Sequence, residues 1–176
     1  DSGIMVWENV FGSWVGMNAR DRSLLRAMLP VQRRYSELFC GEGWTPLVPT
    51  GLPQVYASLW EAGGLRLWTV VNRSEEKRDG VILTVPHQAG IRYFDLIAGQ
   101  EVAASGGATI SLKGTMGPRG LAGFVAARAE LLGASFPRFL EGQAATNQRA
   151  RHGCARRLPR RWRSGPMGWR KSHPPS

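Results

Sequence analysis

The sequence predicts a mainly β fold, in which an antiparallel β-sandwich follows one βα unit and precedes a disordered basic tail. Three observations lead to this prediction. Seven short apolar runs follow one another between residues 54 and 127 with turn residues and no helical pattern between them, as in antiparallel sandwiches. Residues 19–39 instead repeat apolar side chains at helical spacing. Residues 149–176 are dominated by Arg, Pro, Gly and Ser, and their apolar residues follow neither the period of a strand nor that of a helix.

The helical part of the βα unit is expected at residues 19–39, and Asn18 is placed to cap its first turn. Apolar side chains recur along one helical face at intervals of three and four residues: Leu24, Met28, Val31, Tyr35 and Leu38, widened by Leu25 and Leu29. Pro30 interrupts this pattern, because an interior proline lacks an N–H and kinks or ends a helix. The sequence therefore predicts either one bent helix or two consecutive helices with Pro30 opening the second.

A short apolar run, Gly3–Val6, comes before the helix and is typical of a buried strand. A lone βα unit leaves such a strand without the neighbours that a parallel sheet needs, and with its faces uncovered. We therefore expect this unit, assigned to residues 1–44, to be the end of a larger α/β domain whose other part precedes Asp1.

The β-domain is assigned to residues 45–128. Prolines and glycines at residues 46–53 are interpreted as a linker, and seven strands are expected after it. These strands are expected at residues 54–60, 65–72, 81–85, 91–96, 100–103, 108–112 and 121–127. Between two of them, Asp95 and Gly99 suit a turn, because Asp bonds to the nearby backbone and Gly takes a positive φ.

The net charge of +10 is confined to the end of the chain. All 13 acidic residues and 14 of the 23 basic ones lie in residues 1–141, which gives that part +1, whereas residues 142–176 hold nine basic residues and no acid. We interpret residues 129–176 as a disordered basic tail, since like charges oppose collapse. Two explanations of the tail stay open: an arginine-rich arm whose Trp162 and Trp169 stack on nucleic-acid bases, and out-of-frame translation of a GC-rich gene.

Several segments of the chain resemble parts of a known class of two-domain enzymes. One is GIMVWENVFGSW (residues 3–14), with ARDRSLLR and QRRY after it; the others are LWTVVNR (67–73), YFDLIAGQEV (93–102) and PRGLAGF (118–124). The first resembles the last strand and helix of a glycoside-hydrolase-like (β/α)₈ barrel, or TIM barrel, and the others resemble the β-sandwich that trails such barrels. The resemblance covers residues 3–128 and implies that the βα unit is the last one of a truncated TIM barrel.

The resemblance places a carbohydrate site at the end of the first strand. Barrel enzymes carry their reacting groups at the carboxyl ends of the strands. Glycoside hydrolysis needs two carboxyl groups about 5–9.5 Å apart, and this chain supplies only Glu8, so we predict no catalytic residue and no activity for the isolated chain. Four residues are instead predicted to contact the sugar of the parent protein: Glu8, Trp7, Asn9 and Trp14. The alternative is that Glu8 pairs with a nearby arginine while the tryptophans fill the seam between barrel and sandwich.

Other chemistry has less support in the sequence. The histidines lack metal-ligand spacing with one another or with Cys40 and Cys154, so we expect no metal and no other cofactor. The run Asn72–Ser74 matches a glycosylation motif, which three residues often do by chance. Four strand aromatics are expected mainly in the core, with an outward sugar-binding platform as the alternative: Tyr56, Trp60, Trp68 and Tyr93.

The sequence thus favours the C-terminal piece of a carbohydrate-active protein, whose partner is carbohydrate bound by the missing barrel. Two competing hypotheses are a nucleic-acid-binding protein that uses the arginine-rich tail and a free-standing carbohydrate-binding module. We do not favour nucleic acid, because residues 1–141 carry a balanced charge. We expect no membrane partner either, because the longest apolar run, Leu121–Ala127, is far shorter than the ~20 residues of a membrane span.

Overall fold

The computed structural model describes residues 19–103 and 107–155, and these form four helices and eight strands. The helices are α1 (Ala19–Arg34), α2 (Ser36–Cys40), α3 (Ala129–Leu132) and α4 (Phe136–Ala155). The strands are β1 (Trp44–Val48), β2 (Val55–Ala62), β3 (Leu65–Asn72), β4 (Arg78–Pro86), β5 (Arg92–Asp95), β6 (Gln100–Val102), β7 (Thr109–Met116) and β8 (Leu121–Ala127).

Six of these strands form one antiparallel sheet in the spatial order β1-β2-β3-β8-β5-β6. The hairpin between β2 and β3 turns through Gly63 and Gly64, whose positive φ angles suit a residue without a Cβ. The other two strands, β4 and β7, form a separate antiparallel ribbon. The mainly β, antiparallel character predicted from the sequence is confirmed, and all seven predicted strands are present as β2–β8.

The ribbon packs on one face of the six-stranded sheet. Alternate side chains of a strand point to opposite faces, so β2 directs Val55 and Ala57 toward the ribbon. In the same layer Trp68 of β3 lies opposite Phe124 of β8, and Leu112 of the ribbon closes this core. Each large apolar side chain buried in this way stabilises the fold by about 1.5–3 kcal/mol before the entropy cost of folding.

The helices pack on the other face of the sheet and complete a three-layer arrangement. The same alternation directs Trp60, Leu67 and Val125 toward the helices, where α1 contributes Val31 and α4 contributes Phe136. A simple sandwich has two sheet layers, whereas this fold has a ribbon, a sheet and a layer of helices.

Pro30 lies inside α1 and does not end it. The helix continues for four residues beyond the proline, and the break comes at Tyr35, just before α2 opens at Ser36. The N–H of Tyr35 still donates to the carbonyl of Val31 over 3.0 Å, so the chain keeps its helical course across the break. Two consecutive helices are therefore present, as in the second alternative predicted from the sequence, but the second opens at Ser36 and not at Pro30.

The prediction of a linker at residues 46–53 is wrong in its first part, because Trp44–Val48 forms strand β1. β1 lies at the edge of the sheet and contains Pro46. Proline has no N–H to donate to a ladder and is tolerated where one side of a strand has no neighbour. The register also shifts between Thr45 and Val48, so Pro46 sits in an irregular part of the ladder.

Residues 129–155 differ from the prediction of a disordered tail, since they form α3 and α4. Phe136 packs edge-on against Phe94 of the sheet with ring centroids 4.8 Å apart. The buried side chain of Gln143 donates a hydrogen bond to the carbonyl of Leu96 over 2.8 Å. These contacts tie α4 to the sheet, and the folded part extends beyond the predicted boundary at residue 128.

The remaining predicted elements lie outside the described residues. These are the strand at Gly3–Val6, the cap at Asn18 and the basic segment 156–176. The assignment of residues 1–44 to a barrel therefore stays a prediction. The helices of that region, α1 and α2, share a hydrophobic cluster with the β-domain.

Candidate functional site

The residues predicted to contact sugar lie outside the described part of the chain: Trp7, Glu8, Asn9 and Trp14. Their role stays a prediction. The described part offers two candidate binding features, which are an uncovered surface on the six-stranded sheet and a groove beside α2.

Three of the four strand aromatics belong to the core. Trp60, Trp68 and Tyr93 are buried, and the Tyr93 hydroxyl donates to the carbonyl of Pro86 over 3.3 Å. Tyr56, in contrast, is 45% exposed. The expected core position is confirmed for the first three, and Tyr56 is the member of the set that faces solvent.

The helices cover only one end of their face of the sheet. Along β3, side chains on that face change from Leu67, which is fully buried, through the half-buried Thr69 to Val71, which is 42% exposed. Tyr56 pairs with Val71 from β2, and Leu121 pairs with Val71 from β8. Directly paired residues point to the same face of a sheet. Tyr56, Val71 and Leu121 therefore form an apolar surface without a cover in the described structure, which we call the open patch.

Trp44 adds an exposed aromatic ring to the same face of the sheet. Its ring stacks on Trp60 with centroids 5.7 Å apart and an angle of 24°, and Trp44 is 44% exposed. Trp60 is itself fixed by an edge contact from Phe39 at 5.0 Å and by donating to the Thr69 hydroxyl over 3.3 Å. Nothing in the sequence pattern singles out Trp44, because it lies outside the predicted strands, two residues before the predicted linker.

An open groove of about 560 Å³ lies between the helices and the β2–β3 hairpin. Leucines make up much of its lining: Leu38, Leu65, Leu131 and Leu132. Arg34 also lines the groove, but its guanidinium donates to the Ser135 hydroxyl over 3.1 Å and to the Leu132 carbonyl over 2.5 Å. It also lies 5.1 Å from the ring centroid of Phe139. Arg34 thus anchors α3 and α4 to α1.

The Tyr35 hydroxyl is buried beside this groove and has no hydrogen-bond partner among the described residues. Burial raises the pKa of Tyr35, while the neighbouring Arg34 guanidinium acts in the opposite direction. The phenol therefore stays protonated at neutral pH, where it offers a donor and not a general base.

Two acidic groups of the described part, Asp95 and Glu101, serve the fold. Asp95 is buried, and its Oδ1 accepts hydrogen bonds from the N–H groups of Ile97 over 2.9 Å and Ala98 over 2.7 Å, which is the turn role predicted for it. Glu101 forms an ion pair with Arg92 at 2.7 Å. Among the described residues, no group of three or more His, Cys, Asp or Glu side chains is arranged to hold a metal ion. Within the same residues, no helix has the length and apolar character needed to cross a bilayer.

The glycosylation motif at Asn72 is part of the fold. Asn72 is fully buried, and its amide donates to the carbonyls of Glu76 over 2.7 Å and Gly117 over 2.8 Å. The N–H and the hydroxyl of Ser74 donate to its Oδ1 over 2.9 and 2.7 Å. The side chain joins the β3–β4 turn to the loop before β8 and is inaccessible in the folded protein, which favours a chance match to the motif.

No protein-family model matches the chain, and no curated protein matches it. Among solved structures, a GH30 endoxylanase from Clostridium papyrosolvens C71 is 12% identical over 57% of this chain and 28% of its own, with a TM-score of 0.35. A trehalose-6-phosphate hydrolase from Bacillus licheniformis is 13% identical over 56% of this chain and 17% of its own, with a TM-score of 0.35. A mutant trehalulose synthase is 18% identical over 65% of this chain and 22% of its own, with a TM-score of 0.37. The chain thus spans less than a third of the length of each of these three proteins.

Proposed function

We propose that this chain is the carboxyl-terminal, ancillary part of a carbohydrate-active protein and holds no complete active site of its own. Its βα unit would complete a barrel, and its β-domain would support that barrel from one side. The observation that carries the proposal is the open patch, where Tyr56 and Val71 are 45% and 42% exposed on a sheet face whose other end is buried. The sequence resemblance supplies the class of protein.

The open patch lies on the same face of the sheet as α1 and α2, which favours the rest of the barrel as the part that covers it. Contiguous exposed apolar surface marks an interface, and a sheet with an apolar face needs a cover for it. α1 and α2 cover the end of this face that holds Trp60 and Leu67, and they belong to the region that resembles the last barrel helix. A further part of the same barrel would pack beside those helices, against the other end of the face.

In this proposal the sugar binds in the barrel, and this chain contributes contacts from the end of the strand before α1. Glu8 and Asn9 would hydrogen-bond to sugar hydroxyls, and Trp7 and Trp14 would offer an apolar platform. No catalytic residue, metal or other cofactor is assigned to the chain. A pair of reacting carboxyl groups would require other strands of the barrel.

The test compares the purified chain with the longer polypeptide that its gene region encodes. We expect the longer polypeptide to hydrolyse members of a panel of aryl glycosides and the chain alone to hydrolyse none. In the longer polypeptide, Glu8→Gln should lower the substrate affinity or the rate, whereas the matched change Glu42→Gln, at an exposed position, should not. Turnover by the chain alone, or a gene region without βα repeats ahead of residue 1, overturns the proposal.

The exposed ring of Trp44 favours a second candidate, a free-standing carbohydrate-binding module. Its stacking on Trp60 holds the ring in place before any sugar arrives, which lowers the entropy cost of binding. Calorimetric titration of the chain with soluble xylo- and cello-oligosaccharides tests this function. Binding that Trp44→Ala abolishes and Leu47→Ala preserves would support the module, and absence of binding would count against it.

A further inference from the structure

Although residues 1–141 as a whole carry a balanced charge, the excess of basic residues lies in the helix layer of the fold. Residues 44–127, which contain all eight strands, hold seven basic and six acidic residues. α1 holds five arginines and one aspartate, and α4 holds three arginines and one glutamate, so these two helices together carry +6. The balance that disfavours a nucleic-acid partner for the chain as a whole therefore does not hold for the helix layer.

Three arginines of α1 form a stripe along its outer side: Arg22, Arg26 and Arg33. They are four and seven residues apart, which places them within about 40° of one another around a helix of 3.6 residues per turn. Val31, which is fully buried, lies about 180° around the same helix from Arg22. All three arginines are exposed, so the arginine stripe faces away from the sheet.

The arginine stripe differs in its partners from Arg92 and Arg119 of the β-domain. Arg92 pairs with Glu101 at 2.7 Å, and Arg119 of the loop before β8 pairs with Glu75 at 2.6 Å. Within residues 19–103 and 107–155, none of the three stripe arginines forms an ion pair or a side-chain hydrogen bond. Positive charges that are exposed, aligned and not neutralised create an attractive potential for anions.

Arg149 of α4 extends the basic surface beside the amino-terminal half of α1. The two helices run antiparallel, because the end of α1 contacts the segment before α4 through Arg34 and Ser135 while their middles are joined by a hydrogen bond. The exposed Arg149, near the end of α4, therefore lies toward the start of α1. Residues 156–176 follow α4 in the chain with seven further basic residues and no acid.

We propose that the arginine stripe and Arg149 of α4 form a docking surface for the phosphate backbone of a nucleic acid. The stripe spans about 17 Å, along which one strand of B-form DNA presents about five phosphates. A guanidinium group binds a phosphate through two parallel hydrogen bonds. Contacts to phosphates carry no sequence information, so binding is independent of base sequence.

The test is fluorescence anisotropy of a labelled DNA duplex of about 20 base pairs, titrated with the 176-residue chain at several salt concentrations. Three triple variants are compared with the parent chain. The stripe variant is Arg22→Glu, Arg26→Glu and Arg33→Glu; the control variant is Arg73→Glu, Lys77→Glu and Lys113→Glu; the tail variant is Arg156→Glu, Arg157→Glu and Arg160→Glu. The control makes the same charge change at exposed positions of the β3–β4 connection and of ribbon strand β7.

The stripe variant is expected to bind the duplex at least about tenfold more weakly. Its slope of log affinity against log salt should become shallower by about 0.9 for each phosphate that the protein no longer neutralises. The control variant should weaken binding less than about threefold, since non-local charge is screened beyond about 10 Å. Circular dichroism and urea unfolding check that each variant keeps the parent fold.

Four outcomes overturn the proposal. They are no binding of the duplex by the parent chain, equal weakening by the stripe and control variants, loss of binding in the tail variant alone, and displacement of the duplex by polygalacturonate at a lower charge concentration than by unlabelled DNA. The last of these assigns the surface to an anionic polysaccharide.

Discussion

The side-chain amide of Gln143 donates a hydrogen bond to the main-chain carbonyl of Leu96 over 2.8 Å, which joins α4 to the residue directly after strand β5, 47 residues earlier. The same nitrogen donates to the carbonyl of Ala27 in α1 over 2.9 Å. One buried amide thus connects α1, α4 and the sheet. Because a buried polar group costs free energy unless it is hydrogen-bonded, this amide fixes where α4 lies.

Replacing Gln143 by methionine tests that connection. Gln143→Met keeps the side-chain volume but removes both donors, and we expect the free energy of unfolding to fall by about 2 kcal/mol. Urea unfolding followed by circular dichroism measures the change. Gln148→Met, at an exposed position of the same helix, is the matched control and should change stability by less than about 0.5 kcal/mol. Equal stability of the two variants would mean that α4 does not pack as described.

Shortening the chain tests where the folded part ends. A chain that stops at residue 155 should keep the urea midpoint of the 176-residue chain. A chain that stops at residue 135 loses α4 and exposes Phe94 and Leu96, so its free energy of unfolding should fall by at least about 3 kcal/mol. The midpoints of the three chains in urea check this expectation. A chain ending at residue 135 that is as stable as the others would restore the predicted boundary at residue 128.

The sequence predicts β2–β8 and the buried face of α1 because each repeats apolar residues at a period that a single element imposes. β1 and α4 do not show such a repeat, for physical reasons. β1 is an edge strand with an irregular register around Pro46, and a proline is tolerated in such a strand, so a residue that suggests a linker is compatible with a strand. α4 has few large apolar side chains after Leu140, and the contact that holds its middle is the amide of Gln143, which no periodicity reveals.

The candidate surfaces are less predictable than the fold, because they depend on how far one layer extends over another. Leu67 and Val71 are alike in the sequence pattern, and only the reach of the helices makes one buried and the other exposed. The arginine stripe is visible in the spacing of α1, but its lack of partners depends on tertiary structure. The predicted sugar contacts at residues 7–9 precede the described part, so their geometry stays a prediction.

The ion pair between Arg92 and Glu101 predicts a small dependence of stability on pH. Hydrogen bonds from the Arg92 guanidinium, at 2.7 and 2.8 Å, hold the pKa of Glu101 below its ordinary value of 4.5. When a carboxyl group has a lower pKa in the folded than in the unfolded chain, its ionised form stabilises the fold at pH values above its ordinary pKa. This contribution disappears as the pH falls through the folded-state pKa.

Both side chains of this pair are about half exposed, so the contribution is no more than about 0.5 kcal/mol. Glu101→Gln should therefore lower the free energy of unfolding slightly at about pH 7 and leave it unchanged at about pH 2, as measured by urea unfolding at both pH values. Glu61→Gln, at an exposed position of β2, serves as the control. A difference of the same size at both pH values would contradict the ion-pair origin.

Because the side-chain amide of Asn72 is buried and hydrogen-bonded, we expect Asn72→Asp to destabilise the fold at neutral pH at least as much as Asn72→Ala. Asn72→Ala removes the hydrogen bonds to Glu76, Gly117 and Ser74, and we expect the free energy of unfolding to fall by about 2–3 kcal/mol. Asn72→Asp keeps the acceptor for Ser74 but turns a second oxygen toward two carbonyls, so it should be at least as destabilising at neutral pH. Acidification should reduce the effect of Asn72→Asp, because a protonated carboxyl group donates one hydrogen bond.

Urea unfolding at neutral and acidic pH measures both Asn72 variants, with Arg73→Ala as the control at the exposed centre of the same motif. If Asn72→Asp were as stable as the parent at neutral pH, the side chain would be accessible to water. The glycosylation motif would then be open to modification in the folded protein.

Gly63 and Gly99 both have positive φ angles, but only Gly99 lies against α4. Alanine variants at the two positions therefore separate the cost of backbone strain from the cost of a clash with α4. Gly63 and Gly99 have φ angles of 57° and 71°, which disfavour any residue with a Cβ. A Cβ at Gly63 meets no atom within 4 Å, whereas a Cβ at Gly99 would lie 2.5 Å from the Leu140 carbonyl oxygen and closer still to the Ala144 amide. Gly63→Ala should therefore cost only the strain of a left-handed backbone, about 1–2 kcal/mol.

Gly99→Ala carries the same strain and in addition forces the turn between β5 and β6 away from α4. We expect its free energy of unfolding to fall by at least about 2 kcal/mol more than that of Gly63→Ala, as for overpacking of a tight contact. Hydrogen exchange of the α4 amides locates the effect, since they should exchange faster in Gly99→Ala and at the parent rate in Gly63→Ala. Equal losses of stability in the two variants, with unchanged exchange in α4, would show that this helix does not rest against the turn.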